Sequence, residues 1–246
     1  LEGNHLKLSE NEKAQLISKN SISSKYIRPL IGGAEFLKDI KRYCLWIDDS
    51  DLEDALNISN IKSRIELVKK FRLGGGEVAK SLVSRSHQFR YRRVADRSFI
   101  LVPRTTSERR DYMQCGFFDS KYVALESAQV IYDSEPFIYS IISSKLQMLW
   151  VKAVGGYLGT SIRYSTEICY NTFPFPNISK QRKEELTQCT LKIIDERLKH
   201  SEKTMAQLYD PDKMPEGLKE AHHQNDLAVE RCYRSTPFNS DEERLE

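Results

Sequence analysis

Hydrophobic and polar positions divide this chain most sharply at Arg163–Pro176. There Ile168 and Tyr170 alternate with Glu167 and Cys169, the period of two expected of a strand with one buried face. Pro174 and Pro176 then end the ladder, since neither has an N–H to donate. Upstream the pattern is mixed and aromatic, and downstream it is long, polar and helical, so the main boundary is expected here. Ser9 caps a helix through Lys19 with Glu12 at the capping-box position. Lys25–Phe36 carries Pro29 and Gly32-Gly33 and reads as a structured turn. Lys41–Ile47 predicts a buried strand. Ile58, Ile61, Ile65 and Val68 predict a helix that Gly74-Gly75-Gly76 terminates. A short helix and strands over His87–Arg93 and Ser98–Pro103 follow, then an exit loop, Arg104–Tyr112, and more strand over Tyr122–Tyr132.

Phe137, Ile138, Ile141, Ile142, Leu146, Leu149 and Trp150 predict one apolar helix ending at Gly155-Gly156, with a loop over Tyr157–Ile162. Leu186, Cys189, Ile193 and Ile194 mark a helix over Ser179–His200. Pro215 opens another, with Leu218, Ala221, Asn225, Ala228 and Cys232 on one face. The fold class expected is α/β (α+β): a mixed-sheet domain followed by a small helical unit that must dock on something.

Composition narrows the class. A chain of 246 residues, 39% hydrophobic and 30% charged, is long enough to bury a proper core. No apolar run approaches the roughly 20 residues that span a bilayer, and no signal peptide opens the chain, so no membrane partner is expected. Cys44, Cys115, Cys169, Cys189 and Cys232 are scattered without a CxxC pair, which points to a reducing, cytoplasmic compartment and away from disulfides or zinc. The start at Leu1 and the stop inside an acidic segment suggest a piece of a longer polypeptide. The net charge of +3 hides an asymmetry: from Asn177 onward there are 12 Lys and Arg against 15 Asp and Glu. Arg85–Arg110 holds eight arginines against Asp96 and Glu108, the local excess expected of a phosphate-backbone partner.

Catalytic patterns are sparse. Asp48, Asp49, Asp51, Glu53 and Asp54 form an acidic patch, but no glycine stands where a calcium loop needs one, so a solvated helix entry is the plainer reading. The triple glycine follows a helix rather than a strand and lacks the lysine of a phosphate loop. His222-His223 point about 100° apart on a helix, poor geometry for one metal. Asn171-Thr172-Phe173-Pro174-Phe175 lacks the consecutive prolines of an amino-methyltransferase motif. Asp39 and Lys41 are half of a nuclease Asp…(Asp/Glu)-x-Lys pattern. A small magnesium-dependent nuclease using them or the acidic patch, and a scaffold docking partners through its helical tail, are the two alternatives from other classes.

Four blocks carry a family resemblance: KYIRPLIGGAEFL with KRYCLWI, ILVPRTTSERRDYMQCGFF, LWVKAVGGYLGTSIRYSTEICYNTFPFP, and LYDPDKMPEGLKEAHHQNDLAVERCY. Together they resemble the C-terminal part of the MmeI-like DNA adenine methyltransferases, bacterial single-chain type II restriction–modification enzymes. The resemblance runs in order from about Lys25 to Glu246. It implies a helical lead-in over 1–24, a DNA target recognition domain over 25–176 and a helical C-terminal domain over 177–246. It further implies double-stranded DNA and an upstream methyltransferase domain of the same polypeptide as partners. S-adenosylmethionine and Mg belong to that parent enzyme, with no cofactor, metal or activity in this fragment.

The family's base-reading pair matches Gly159 and Ser161, counted back from Arg163-Tyr164-Ser165. Neither is charged, unlike the common pattern, so an Arg-type bidentate guanine contact is not expected from them. Ser107, Arg109 and Arg110 form the second set of expected base readers. Lys25, Arg28, Arg92, Arg93, Arg104 and Arg163 are expected to meet the DNA backbone, and Tyr164 and Tyr170 to be core.

Overall fold

The computed structural model describes residues Leu1–Glu246. In chain order its first elements are β1 (Lys7–Ser9), α1 (Glu10–Lys19), β2 (Ile27–Ile31), α2 (Gly33–Lys38), β3 (Arg42–Leu45), α3 (Leu52–Leu56), α4 (Ser59–Leu73) and α5 (Glu77–Lys80). Then come β4 (Ser98–Pro103), β5 (Thr105–Ser107), β6 (Gly116–Asp119), β7 (Val123–Ala124), β8 (Ala128–Tyr132), α6 (Pro136–Ile142) and α7 (Lys145–Val154). The last are β9 (Gly156–Leu158), β10 (Ser161–Arg163), α8 (Lys180–Leu198), α9 (Met205–Leu208) and α10 (Glu216–Glu230). The fold is mixed α/β, with one four-stranded sheet, β1-β3-β2-β7, and two three-stranded sheets, β6-β4-β8 and β5-β10-β9. Two compact units interleave along the chain: residues 1–31, 40–95 and 120–125, and residues 32–39, 96–119 and 126–246.

In the first unit β2 is antiparallel to β3 and parallel to β7. The capping box forms as its spacing predicts: Ser9 Oγ accepts the Glu12 N–H, and the Glu12 carboxylate accepts the Ser9 N–H at 2.8 Å. Lys25–Phe36 is more regular than expected, a 3-10 turn over Ser21–Tyr26 running into β2 and α2. No strand forms over His87–Arg93, and the reason is Arg72, which is fully buried at the end of α4. Its guanidinium donates to the carbonyls of Leu1 (2.9 Å), Leu82 (2.7 Å), Arg85 (2.6 Å) and Gln88 (2.7 Å). Arg85 likewise takes the carbonyls of Phe89 and Arg90. Carbonyls turned onto cations are unavailable to a ladder.

In the second unit β4 is central, pairing antiparallel with β6 and β8, and Phe99, Ile100, Leu101 and Val102 are all buried. The single helix expected over Phe137–Trp150 is two, α6 and α7. Ser143 and Ser144 return their hydroxyls to the carbonyls of Ser140 and Ile141, and Ser144 caps α7 at Gln147, the local competition that breaks helices at serine. The strand expected through Tyr170 stops at Arg163. Thr105 and Gly156, its partners there, are the first residues of β5 and β9, and only one further bond, from the Tyr164 N–H to the Arg104 carbonyl, continues the ladder. The backbone coils instead into a π-helical turn over Thr166–Tyr170, with Cys169 buried and Ile168 exposed, the reverse of the alternation read from sequence.

The helical tail docks inside this unit. Ile193, Leu208, Tyr209, Leu218 and Ala221 share one core with Ile100, Val102, Met113, Tyr139 and Ile162. Asp226 of α10 accepts the Tyr112 hydroxyl at 2.9 Å and the Lys145 N–H at 2.8 Å, and Asn225 donates to Ser140 O at 2.9 Å.

Arg72→Met is expected to destabilise the fold by roughly 3 kcal/mol, since it strands buried carbonyls. An unchanged urea midpoint would show that water satisfies them. Burial raises the Asp226 carboxyl to about 7, against the pull of the Lys145 N–H and the Tyr112 hydroxyl. The folded state therefore keeps a proton that an unfolded aspartate, titrating near about 4, has released. This contribution to stability falls as pH rises between about 4 and about 7. Asp226→Asn is expected to flatten that slope. Equal losses for wild type and variant between about pH 5 and about pH 8 would remove Asp226 as its source.

Candidate nucleic-acid interface

The small sheet β5-β10-β9 is built by alternation. Ile162 is opposite Thr106 on one side and Tyr157 on the other, and Ile162 and Thr106 are buried. The neighbouring rows face the opposite way, because opposed residues share a face and successive ones do not. One row is Leu158–Ser161–Ser107 and the next is Gly156–Arg163–Thr105. Leu158, Arg163 and Thr105 are exposed and the two serines half-buried, so this face is open to solvent.

Gly159 turns the hairpin between β9 and β10 with φ of 61°, and a Cβ there would meet nothing within 4 Å. The Glu108 N–H reaches the Thr160 carbonyl at 3.1 Å, extending the pairing to the hairpin tip. The structure thus brings Ser107, Gly159, Ser161 and Arg163 together. The Arg163 guanidinium has no protein partner. Thr105 and Leu158 join the face although sequence reading did not single them out. The period of two through Thr105-Thr106-Ser107 was the available signal for Thr105.

The remaining residues named from sequence in this unit are held by its own groups. Arg109 pairs with Asp212 at 2.8 Å, both largely exposed. Arg110 turns toward the Ala206 carbonyl at 3.5 Å. Burial lowers its pKa, against the attraction of Asp210. Arg104 is half-buried, its carbonyl accepting the Tyr164 N–H at 2.8 Å, and its Nε is buried without a partner. Tyr164 is core, as expected, and Tyr170 is half-buried.

Within the first unit the cations gather around Trp46. Arg28 lies 5.6 Å from its ring and Arg92 4.7 Å. Arg28 also donates to Ser120 O at 2.8 Å, and Arg92 donates to Ile47 O at 3.0 Å and pairs with Asp48. With Asp49, Arg85 and Gln88 they line an open cavity of about 670 Å³. Lys25 pairs with Asp51 at 2.7 Å, which raises its pKa. Arg93 is exposed. A phosphate meeting Lys25 or Arg92 would exchange with an existing carboxylate partner.

The other candidate chemistry resolves into structure. Asp48 pairs with Arg92, Asp49 with His87 and Gln88, and Asp51 with Lys25. No group of three His, Cys, Asp or Glu side chains is placed to hold a metal. Asp39 is the left-handed C-cap of α2, with φ of 52°. His222 is buried against the Tyr209 hydroxyl at 2.7 Å and stacks on Tyr112 at 4.1 Å. Burial and the nearby Arg197 hold its imidazole well below the usual range, hence neutral. All five cysteines are free thiols, and burial pushes Cys44 and Cys115 up to about 12. No helix is long and apolar enough to cross a membrane.

Comparison with known proteins places this geometry. Residues 1–177 match the family model described as the MmeI target recognition domain, and residues 178–246 match that of the MmeI C-terminal domain. The chain is 37% identical over its whole length to DNA methyltransferase A of Bacillus subtilis (strain 168), of which it spans 28%. The Type IIL restriction–modification enzyme MmeI, solved in complex with DNA, superimposes on 99% of the chain with a TM-score of 0.91 at 30% identity, the match covering 33% of that enzyme. This chain belongs to the MmeI target recognition family, its last 69 residues being the matching C-terminal domain.

Proposed function

We propose that this chain is the sequence-reading module of a DNA N6-adenine methyltransferase: it binds duplex DNA in the major groove and places a target adenine for flipping into a methyltransferase domain upstream. The observation that carries the reading is the solvent-open face of β5-β10-β9. It sets two hydroxyls, Ser107 and Ser161, beside the unpaired Arg163 in register, in a chain whose family is defined by target recognition. Hydroxyls donate or accept and so read base edges, whereas a lone guanidinium in the next row suits a phosphate. Support comes also from the names of the relatives, one a DNA methyltransferase and the other solved with DNA.

S-adenosylmethionine and magnesium are assigned to the upstream part of the polypeptide. In this chain the triple glycine ends α4, and Asp48, Asp49 and Asp51 of the acidic patch are paired with Arg92, His87 and Lys25. A bacterial cytoplasm suits five free thiols. Gly159, Ser161, Ser107, Arg109 and Arg110 are proposed to read bases. Lys25, Arg28, Arg92, Arg93, Arg104 and Arg163 are proposed to meet the backbone, the half-buried Arg104 through a shift of its side chain.

The first test is selection of bound sites from a random duplex library at two salt concentrations. Enrichment of one short motif is expected. Binding that does not respond to salt would overturn the reading, because phosphate contacts release counterions. Arg163→Ala is expected to weaken all duplexes alike and to lower the salt slope by about 1. A change of preferred sequence would instead make Arg163 a base reader. Gly159→Glu with Ser161→Arg is expected to change the preferred sequence, at a backbone cost of roughly 1 kcal/mol for the left-handed position. If the enriched motif is unchanged, the reading pair lies elsewhere.

A further inference from the structure

We propose that Leu158 is a specificity-determining residue that packs its side chain against the C5-methyl group of a thymine in the major groove. This rests on the reading above and extends it to a position that the family's reading pair does not include. A single exposed leucine is unremarkable on a protein surface. Leu158 differs in its exposure and in its register. At 76% it is the most exposed large hydrophobic side chain of the protein, on a strand whose three residues are all exposed.

Leu158 is the direct cross-strand partner of Ser161, which is in turn the partner of Ser107. Opposed residues place their Cβ atoms about 4.5–5.5 Å apart on one face. The three therefore form one row that is hydroxyl, hydroxyl and isobutyl in order. Nothing screens the row at its apolar end: Gly156, two residues back on the same face, has no side chain and open space where one would stand. Gly159 on the other side is equally bare. Alternation along β9 puts Leu158 on this open face, because the opposite face carries the row Thr106–Ile162–Tyr157.

A duplex edge complementary to such a row must place a methyl group beside hydrogen-bonding groups. Among the four bases the major groove offers that at thymine, whose O4 acceptor lies next to its C5-methyl. A leucine has neither donor nor acceptor, so it contributes discrimination only through that apolar contact. A guanine or cytosine edge there would lose hydration with no bond in return.

The test uses the duplex selected above, with each thymine of the enriched motif replaced in turn by deoxyuridine, which differs only by the missing methyl. For the unaltered chain, one position is expected at which uracil weakens binding about fourfold, the value of one buried methyl-sized group. Leu158→Ala is expected to bind the thymine and uracil duplexes equally, at the affinity of the unaltered chain for uracil. Because Leu158 is so exposed, the variant should fold normally, which an unchanged thermal midpoint would verify. Uracil tolerated at every thymine, a motif without thymine, or a uracil penalty retained by Leu158→Ala would each overturn the inference while leaving sequence reading intact. Failure to enrich any motif would overturn the reading on which it rests.

Discussion

Arg197 is half-buried, with its guanidinium turned into the protein, and much of the second unit is arranged around satisfying it. A buried cation costs several kcal/mol unless donors and charge are matched. Its guanidinium donates to the Cys115 carbonyl at 2.7 Å and, through Nε at 2.8 Å and Nη2, to the Tyr209 hydroxyl. The rings of Tyr139 and Tyr209 lie 5.5 and 4.9 Å away. Burial acts against its charge, yet these phenols hold its pKa above the ordinary arginine range. Tyr139 bonds the same Cys115 carbonyl, and Tyr209 passes the contact on to His222. Helices α6, α8 and α10 and the approach to β6 thus meet at one charge, and none can move without leaving a polar group stranded.

That constraint reaches the proposed reading face. The segment between β5 and β6 is tied down by the tail at three successive places: Arg109 at Asp212, Arg110 at Ala206 and Tyr112 at Asp226. The tail is therefore part of what gives the loop after Ser107 its shape, not an appendage to it. Substitutions on α10 that never approach a ligand can shift this loop, because a packed interior transmits displacement.

Much of this was legible before any coordinates. The capping box at Ser9, the helix from Ile58, the buried stripe of Leu218, Ala221, Asn225 and Ala228, and the core role of Tyr164 followed from local chemistry acting over a few residues. The helix break at Ser143 and Ser144 was local, but the two missing strands were decided by distant partners. Whether Glu167–Tyr170 becomes strand depends on β5 and β9 beginning only at Thr105 and Gly156, opposite Arg163, which no alternation reveals. Whether His87–Arg93 becomes strand depends on Arg72 claiming the Gln88 carbonyl, 16 residues on in sequence. The pairing of Ser107 with Ser161 spans 54 positions and came into view only through the register.

The arginines of the 85–110 segment show how charge counted along a sequence differs from charge available on a surface. Arg85 spends its guanidinium on Gln88 and two backbone carbonyls. Arg92 is divided between a carbonyl and Asp48, Arg109 is neutralised by Asp212, and Arg110 is turned to a carbonyl. A guanidinium that already bonds neutral carbonyls keeps its charge but few of its N–H groups, so it can raise the local potential without grasping a phosphate. One that bonds a carboxylate has lost most of its potential as well. Arg163, outside the cluster that the composition advertised, keeps both its charge and its donors. The cation proposed to hold a phosphate beside the reading row is thus one whose surroundings offer no acceptor, and it is found from the partners a side chain lacks.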